Sequence, residues 1–505
     1  MSGNTHSLPD GQETIGHWIG GRPVAGTSGR TAPVHDPARG EQTAQVALAS
    51  AAEVDDAVKV AAGAAATWGA SSLSRRAGAL FRLRELLDAH RDDLAALVTR
   101  QHGKVLDDAR GEVARGIDNV EFACGIPHLL NGSHSAEVSG GVDVHTVLEP
   151  VGVVAGITPF NFPVMVPLWM LANALACGNA LVLKPSEKYP SASLLLAELV
   201  DRAGFPAGVL NVVQGDAEAV DALLGHDDVD AVSFVGSTPV ARHVYETGTR
   251  HGKRVQALGG AKNHMVVLPD ADVGAAADAA ISAGFGSAGE RCMAISVVVA
   301  VGAVADPLVE AIAARIPDVV VGPGDDPASM MGPLITAEHR DRVRAYVEGA
   351  AGEGARVVID GSAAVPGAGF FLGPSLLDEV EPGMRVYDDE IFGPVLGVVR
   401  VATFDEALAL VDANPYGNGV AVFTRDGGAA RQFERKVRVG MVGINVPIPV
   451  PVAAHSFGGW KASIFGDHPI YGPEGIRFYT RPKVVTSRWP DPASSVIDLG
   501  FPHGG

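Results

Sequence analysis

Cys292 closes the stretch Gly286-Ser287-Ala288-Gly289-Glu290-Arg291-Cys292-Met293, a turn of small residues that ends on a permanent cation and a thiol. A thiol with a cation beside it can ionise and act as a nucleophile. Upstream, Phe160-Asn161-Phe162-Pro163 offers an amide able to donate to a developing oxyanion, and downstream lies Glu390-Ile391-Phe392-Gly393-Pro394. Nucleophile and oxyanion donor together point to covalent chemistry on a carbonyl. The remaining thiols, Cys124 and Cys177, sit in the apolar runs Phe122-Ala123-Cys124-Gly125 and Leu175-Ala176-Cys177-Gly178 and read as small buried hydrophobes.

A second group of residues suits a dinucleotide. No G-x-G-x-x-G follows a strand, so the usual phosphate-binding glycines are missing. In their place, the apolar run 231–235 enters Gly236-Ser237-Thr238-Pro239. Gly236 permits close backbone approach, Ser237 and Thr238 supply hydroxyls, and Pro239 suits the first helical position. Free N–H groups at such a helix start favour an anion, although a plain capped helix would look the same. Lys184-Pro185-Ser186-Glu187 ends another strand, and its carboxylate could accept from both ribose hydroxyls while repelling a 2′-phosphate. Glu187 therefore favours NAD over NADP.

The elements that must hold these residues read as α/β. Residues 51–130 show apolar spacings of three and four, as helices require. From 151 onward, short apolar runs alternate with helical stretches, the pattern of a parallel sheet with both faces covered. Alternation resumes after about 263, giving a second α/β unit. Residues 163–183 carry no charge and are long enough to span a bilayer, but Pro163, Pro167 and Gly178-Asn179 divide them into a buried helix and a strand. The proline-rich run 446–451 reads as a rigid loop, and a strand beyond 483 could pair with another subunit.

At 505 residues the chain needs two or three cores, and 47% hydrophobic residues suffice to fill them. Three cysteines make no disulfide framework, which favours a reducing, cytoplasmic setting. A net charge of −19 without a basic cluster argues against nucleic acid or anionic membrane as partners. The polar N-terminus lacks the apolar core of a secretory signal.

From His17-Trp18-Ile19-Gly20-Gly21 to its end, the chain resembles the aldehyde dehydrogenase superfamily. The resemblance implies two Rossmann-like parallel α/β domains and a small oligomerisation β-extension. It divides the chain into an NAD-binding domain (1–131 and 150–262, with part of 441–482), a catalytic domain (263–440), and oligomerisation segments (132–149 and 483–505). It implies Cys292 as nucleophile and Asn161 as oxyanion donor. Thr158, Phe160, Lys184, Glu187, Lys188, Gly236, Ser237, Gly259, Glu390 and Phe392 would bind the cofactor. A homodimer or homotetramer is expected, and no metal.

One departure sharpens the reading. Hydrolytic members carry E-L-G-G-K, whose glutamate activates water, whereas this chain reads Gln256-Ala257-Leu258-Gly259-Gly260-Ala261-Lys262-Asn263-His264, with Ala257 taken to stand at the glutamate's place. With Gly-Glu-Arg-Cys-Met and Asn-Val-Pro-Ile-Pro-Val-Pro, this resembles the CoA-acylating methylmalonate-semialdehyde dehydrogenase branch, which also handles malonate semialdehyde. That branch implies coenzyme A as co-substrate, loss of CO2, and Arg115 and Arg291 as recognising the substrate carboxylate. Water, with a pKa near 15.7, needs a base to attack a thioester; a thiol near 8.5 needs far less help. Two other readings remain: a hydrolytic semialdehyde dehydrogenase using a substitute base such as Glu290, and a non-catalytic NAD-binding scaffold.

Overall fold

The apolar runs pair into parallel strands whose two faces are covered by helices. The computed structural model describes residues 14–363 and 367–489. An eight-stranded sheet has at its centre the parallel order Arg254–Leu258, Ala231–Val235, Val153–Ile157, Ala180–Lys184, Leu210–Val212. Antiparallel strands close its edges: Ile464–Phe465 on one side, His17–Ile19 and Arg22–Val24 on the other. Every residue of the strands at 153–157, 180–184 and 231–235 is buried, which is why they read as unbroken apolar runs.

The four helices Ala51–Gly69, Leu73–Ala89, Arg91–His102 and Leu106–Cys124 fill the segment expected to be helical. Ser50 and Glu53 form a reciprocal capping box at the first of them. The uncharged stretch after Pro163 divides as expected into Met165–Ala176, buried along its whole length, and the strand Ala180–Lys184. Among the described residues no helix is long and apolar enough to cross a membrane.

A second, seven-stranded sheet draws on residues 263–444 in the order Arg356–Ile359, Ser375–Asp378, Val395–Val401, Ile295–Val301, Asn263–Val267, Gly419–Phe423, Met441–Ile444. All of its pairings are parallel except that of Arg356–Ile359. Ser133–Ser139, Val142–Pro150 and Thr480–Arg488 make a separate antiparallel sheet. The last strand thus pairs on one side with Val142–Pro150 of its own chain and forms the edge of that sheet. Of the segment 483–505, residues 490–505 lie outside the described residues, as do 1–13.

Candidate active site

The nucleophile's approach is strained. Ser287, Ala288 and Gly289 follow one another at φ of 53°, 52° and 73°. Left-handed backbone costs a non-glycine residue of order 1 kcal/mol or more, and it persists only where surrounding structure enforces it. Here the enforcement is visible: a Cβ on Gly289 would sit 2.2 Å from the Gly393 carbonyl, so the Cys292 turn lies directly on the Glu390–Pro394 loop. Two asparagines pin the other side. Asn263 Nδ2 donates to the Cys292 carbonyl at 2.9 Å and to that of Ala294 at 2.9 Å, and Asn418 Nδ2 donates to the Cys292 carbonyl at 3.1 Å.

The Cys292 side chain is half-buried against an apolar cluster that includes Phe162, Met165, Trp169, Leu258, Met293, Phe457 and Tyr471, with Ile448 and Val450 of the proline-rich loop packed on it. Burial first, and then the Glu390 carboxylate, push the thiol up to about 12. Arg291 favours the thiolate in the expected direction, but only weakly. Its guanidinium turns to Asp108, 2.7 Å away, and has only a minor effect on the thiol. Cys124 and Cys177 are buried, as expected, and burial raises their thiols to about 11 and about 12.

In the strand Arg254–Leu258 successive side chains face opposite sides. Ala257 packs in the core with Val153, Val232 and Ala241, whereas Leu258 belongs to the apolar cluster against which Cys292 packs. Neither residue carries a group able to take a proton from water.

Asn161 is buried at 3% exposure, and its Nδ2 donates to the Glu290 carbonyl at 2.9 Å, which leaves its second amide hydrogen for another acceptor. Glu290 itself faces inward. Its carboxyl is fully buried, Oε1 accepts from the Ile335 N–H at 3.2 Å, and His339 and His102 lie 3.5 and 3.8 Å away. Burial raises it to about 8. Burial likewise drives His102 well below the ordinary histidine range and His339 to about 4. The acid felt by the thiol is Glu390.

Of the residues expected to bind a dinucleotide, Thr158, Phe160, Lys184, Glu187, Lys188, Gly236, Ser237 and Gly259 lie at or just after the carboxyl ends of parallel strands, where open α/β sheets take ligands, whereas Glu390 and Phe392 lie in the loop before Val395–Val401. Thr158 follows Val153–Ile157, and its buried hydroxyl has no hydrogen-bond partner. Phe160 packs edge-on to Phe392 at 5.9 Å, and the Lys188 ammonium lies 5.4 Å from its ring centre. Phe392 is itself left-handed at φ 59°. Lys184 is buried, with Nζ donating to the Gly215 carbonyl at 2.9 Å and lying 3.6 Å from Glu187.

Gly236 ends its strand with no room for a Cβ, which would meet the Phe234 ring at 2.5 Å. Ser237 caps Thr238–Arg250 without a side-chain hydrogen bond, so the first N–H groups of that helix are not capped by its hydroxyl. The Thr238 hydroxyl is not free as expected; it accepts from the Gly260 N–H at 2.8 Å. Gly259 lies in the same turn, donating to the Ser463 carbonyl at 3.0 Å. Glu390 closes over it, accepting from the Ala261 N–H at 2.9 Å, and burial raises this acid to about 7. An orphaned hydroxyl, an uncapped helix start and a glycine cradle fit a dinucleotide.

Arg115 is half-exposed, 3.8 Å from Asp118, and burial raises the Tyr471 hydroxyl while the Arg115 charge opposes that rise. Sequence reasoning missed Asn263, Asn418, Lys104 and Glu112. The last two carried a signal, a lysine and a glutamate in a segment whose helix buries one face.

The two parallel sheets, the strained turn that carries the Cys292 thiol and the cradle at the strand ends are the arrangement of an enzyme fold with a nucleotide site. Residues 24–485 match the aldehyde dehydrogenase family, and the chain belongs to that family. A malonate-semialdehyde dehydrogenase from Pseudomonas aeruginosa is 52% identical over 97% of this chain and 99% of its own. The crystal structure of methylmalonate-semialdehyde dehydrogenase from Oceanimonas doudoroffii superposes with a TM-score of 0.94 at 53% identity, covering 95% of this chain and 99% of that one. A Sinorhizobium meliloti structure complexed with NAD superposes equally well, with a TM-score of 0.94 at 50% identity over 96% of this chain and 99% of that one.

Proposed function

We propose that this chain oxidises malonate semialdehyde or methylmalonate semialdehyde with NAD and coenzyme A, giving acetyl-CoA or propionyl-CoA and CO2. The observation that carries the CoA-dependent reading is the absence of an acid from Gln256-Ala257-Leu258-Gly259-Gly260. Aliphatic Ala257 stands where hydrolytic relatives carry their base, and a positioned base is worth about 10²–10⁴ in rate. The relatives named above support the substrate class.

The Cys292 thiolate adds to the aldehyde carbon, and the resulting oxyanion takes hydrogen bonds from the Asn161 amide and the Cys292 N–H. Thr158, Phe160, Lys184, Glu187, Lys188, Gly236, Ser237, Gly259, Glu390 and Phe392 would hold NAD, which supplies the hydride acceptor when bound. Loss of hydride leaves a thioester on Cys292. The β-carboxylate departs as CO2, leaving the electron pair of the broken C–C bond on the α-carbon as a thioester enolate that takes up a proton from solvent. The sulfur of coenzyme A then adds to the thioester carbonyl, Cys292 leaves as thiolate, and the proton of the coenzyme A thiol balances its charge. The apolar wall of Leu258, Phe162, Trp169 and Phe457 limits water at the thioester. Arg115, near Tyr471 at this wall, and Arg291, once released from Asp108, would pair with the substrate carboxylate.

A hydrolytic reading has one observation in its favour: Glu390, raised to about 7, is the acid that acts on the thiol. Product analysis separates the two. Mass spectrometry of reactions with malonate semialdehyde, NAD and coenzyme A should find acetyl-CoA; a free acid formed equally with and without coenzyme A would favour Glu390 as a base. An assembly of two or four chains through the small antiparallel sheet is part of the same proposal. Its outer strand leaves Val484 64% exposed, and Trp489 beyond it is 86% exposed. Three free thiols support a reducing, cytoplasmic setting.

A further inference from the structure

One helix reaches three parts of the site. On Leu106–Cys124, Asp108, Glu112 and Arg115 follow the spacing i, i+4, i+7 that puts side chains on one face. Asp108 holds Arg291 beside the nucleophile, and Arg115 stands near Tyr471. Glu112 lies between them and makes the least ordinary contact. It is buried with Lys104, whose Nζ lies 2.7 Å from its Oε2, and both side chains are fully inaccessible. Lys104 donates a second bond, 2.9 Å long, to the main-chain carbonyl of Asn161, and its ammonium lies 4.2 Å from the Phe162 ring centre. The other oxygen of Glu112 accepts from the N–H groups of Val164 and Met165 at 2.8 and 3.2 Å, where the helix Met165–Ala176 begins.

The pair therefore grips the turn 161–165 at both ends. A buried ion pair is a poor device for stability alone, because an apolar pair of similar volume often does as well. An apolar pair could not hold a carbonyl and two N–H groups at fixed distances. With its carbonyl fixed by Lys104 and its Nδ2 tied to the Glu290 carbonyl, Asn161 has little freedom beyond the direction of its remaining amide hydrogen.

We propose that Lys104 and Glu112 are positioning residues that aim the Asn161 amide at the oxyanion formed on Cys292. The inference rests on the reading of Asn161 as oxyanion donor, and a double-mutant cycle tests the two separately. Removing one partner would strand a buried charge, so the principal variant is Lys104→Met with Glu112→Gln, which is neutral and keeps an acceptor for Val164 and Met165. Lys104→Met alone is the second variant.

The first readout is single-turnover NADH formation from propanal, an aldehyde without a carboxylate. The second is alkylation of Cys292 by iodoacetamide, which forms no oxyanion. The third is NAD affinity. Loss of an oxyanion donor costs about 10²–10³ in rate, and a misaimed one should cost roughly 10- to 100-fold. The double variant should therefore slow NADH formation by that amount while alkylation and NAD affinity stay within about twofold. Added to Asn161→Ala, it should slow the reaction by no more than about twofold further.

Equal slowing of alkylation would mark a merely structural role and overturn the inference, as would unchanged NADH formation or fully additive losses on the Asn161→Ala background. If Asn161→Ala alone leaves the rate intact, the oxyanion reading falls, and the inference with it.

Discussion

The Cys292 thiol is held neutral by burial and by the Glu390 carboxylate, while the arginine next to it in sequence is engaged elsewhere. Its alkylation rate in the free enzyme should therefore climb about tenfold per pH unit from 7 to 10, following the small thiolate fraction. A plateau below pH 9 would contradict the geometry. Glu390→Gln removes a charge that opposes the thiolate and should speed alkylation at pH 8.5. Cys292→Ala should abolish NADH formation and leave NAD binding intact, and loss of chemistry in a well-folded Cys124→Ala protein would show that another thiol reacts. Glu290 carries a stability prediction. Its folded value of about 8 lies above an ordinary glutamate, so the folded state holds a proton that the unfolded chain has lost. Stability from this group is full at about pH 4.5 and is lost as pH rises toward 8. Glu290→Gln cannot ionise, so its Tm relative to wild type should improve from pH 5 to pH 8; a constant difference would exclude a neutral, buried Glu290. Residue types and spacing singled out Cys292, Asn161, Lys184, Glu187, Gly236 and Ser237 as candidates, whereas Thr158, Phe160, Lys188, Gly259, Glu390 and Phe392 came from the family resemblance. The partner of Arg291 was not legible, because Asp108 is distant in sequence and only folding brings it near.

At the scale of elements, strand alternation sorts neighbouring residues between cores. The motif names Ala257 and Leu258 together, and only the sheet shows that they join different clusters, Leu258 the one on which Cys292 packs. The strands and helices themselves were legible because buried parallel strands are continuous apolar runs. The left-handed turn at 287–289 was visible only as a flexible composition. Its geometry comes from contact with the Glu390–Pro394 loop, which no local signal encodes. Gly289→Ala adds strain at φ 73° and a Cβ 2.2 Å from the Gly393 carbonyl. It should push the nucleophile and Glu390 loops apart and lower kcat/KM at least tenfold in a protein that still folds. Near wild-type activity would show that the turn tolerates another path.

At the scale of the whole molecule, the two large sheets bring residues more than 200 positions apart into one site, which a linear reading can name but not align. The small sheet is a separate matter: its last strand pairs within its own chain and leaves Val484 exposed on the outer strand among charged and polar neighbours. Val484→Lys should therefore lower the mass in solution measured by light scattering, and an unchanged mass would place the interface elsewhere. The carboxylate preference belongs to this scale too, since Arg115 and Arg291 approach from different elements. Replacing either by Leu should reduce kcat/KM for malonate semialdehyde more than for propanal, whereas equal losses would count against carboxylate recognition. The central claim is that Ala257 at the place of the glutamate leaves the acyl-enzyme without a base for water, so that only coenzyme A releases it. Stopped-flow recording of NADH from malonate semialdehyde, with and without coenzyme A, tests this most directly. Without coenzyme A the trace should stop after about one equivalent per active site, and with it turnover should continue to acetyl-CoA. Sustained turnover to a free acid in the absence of coenzyme A would contradict the account.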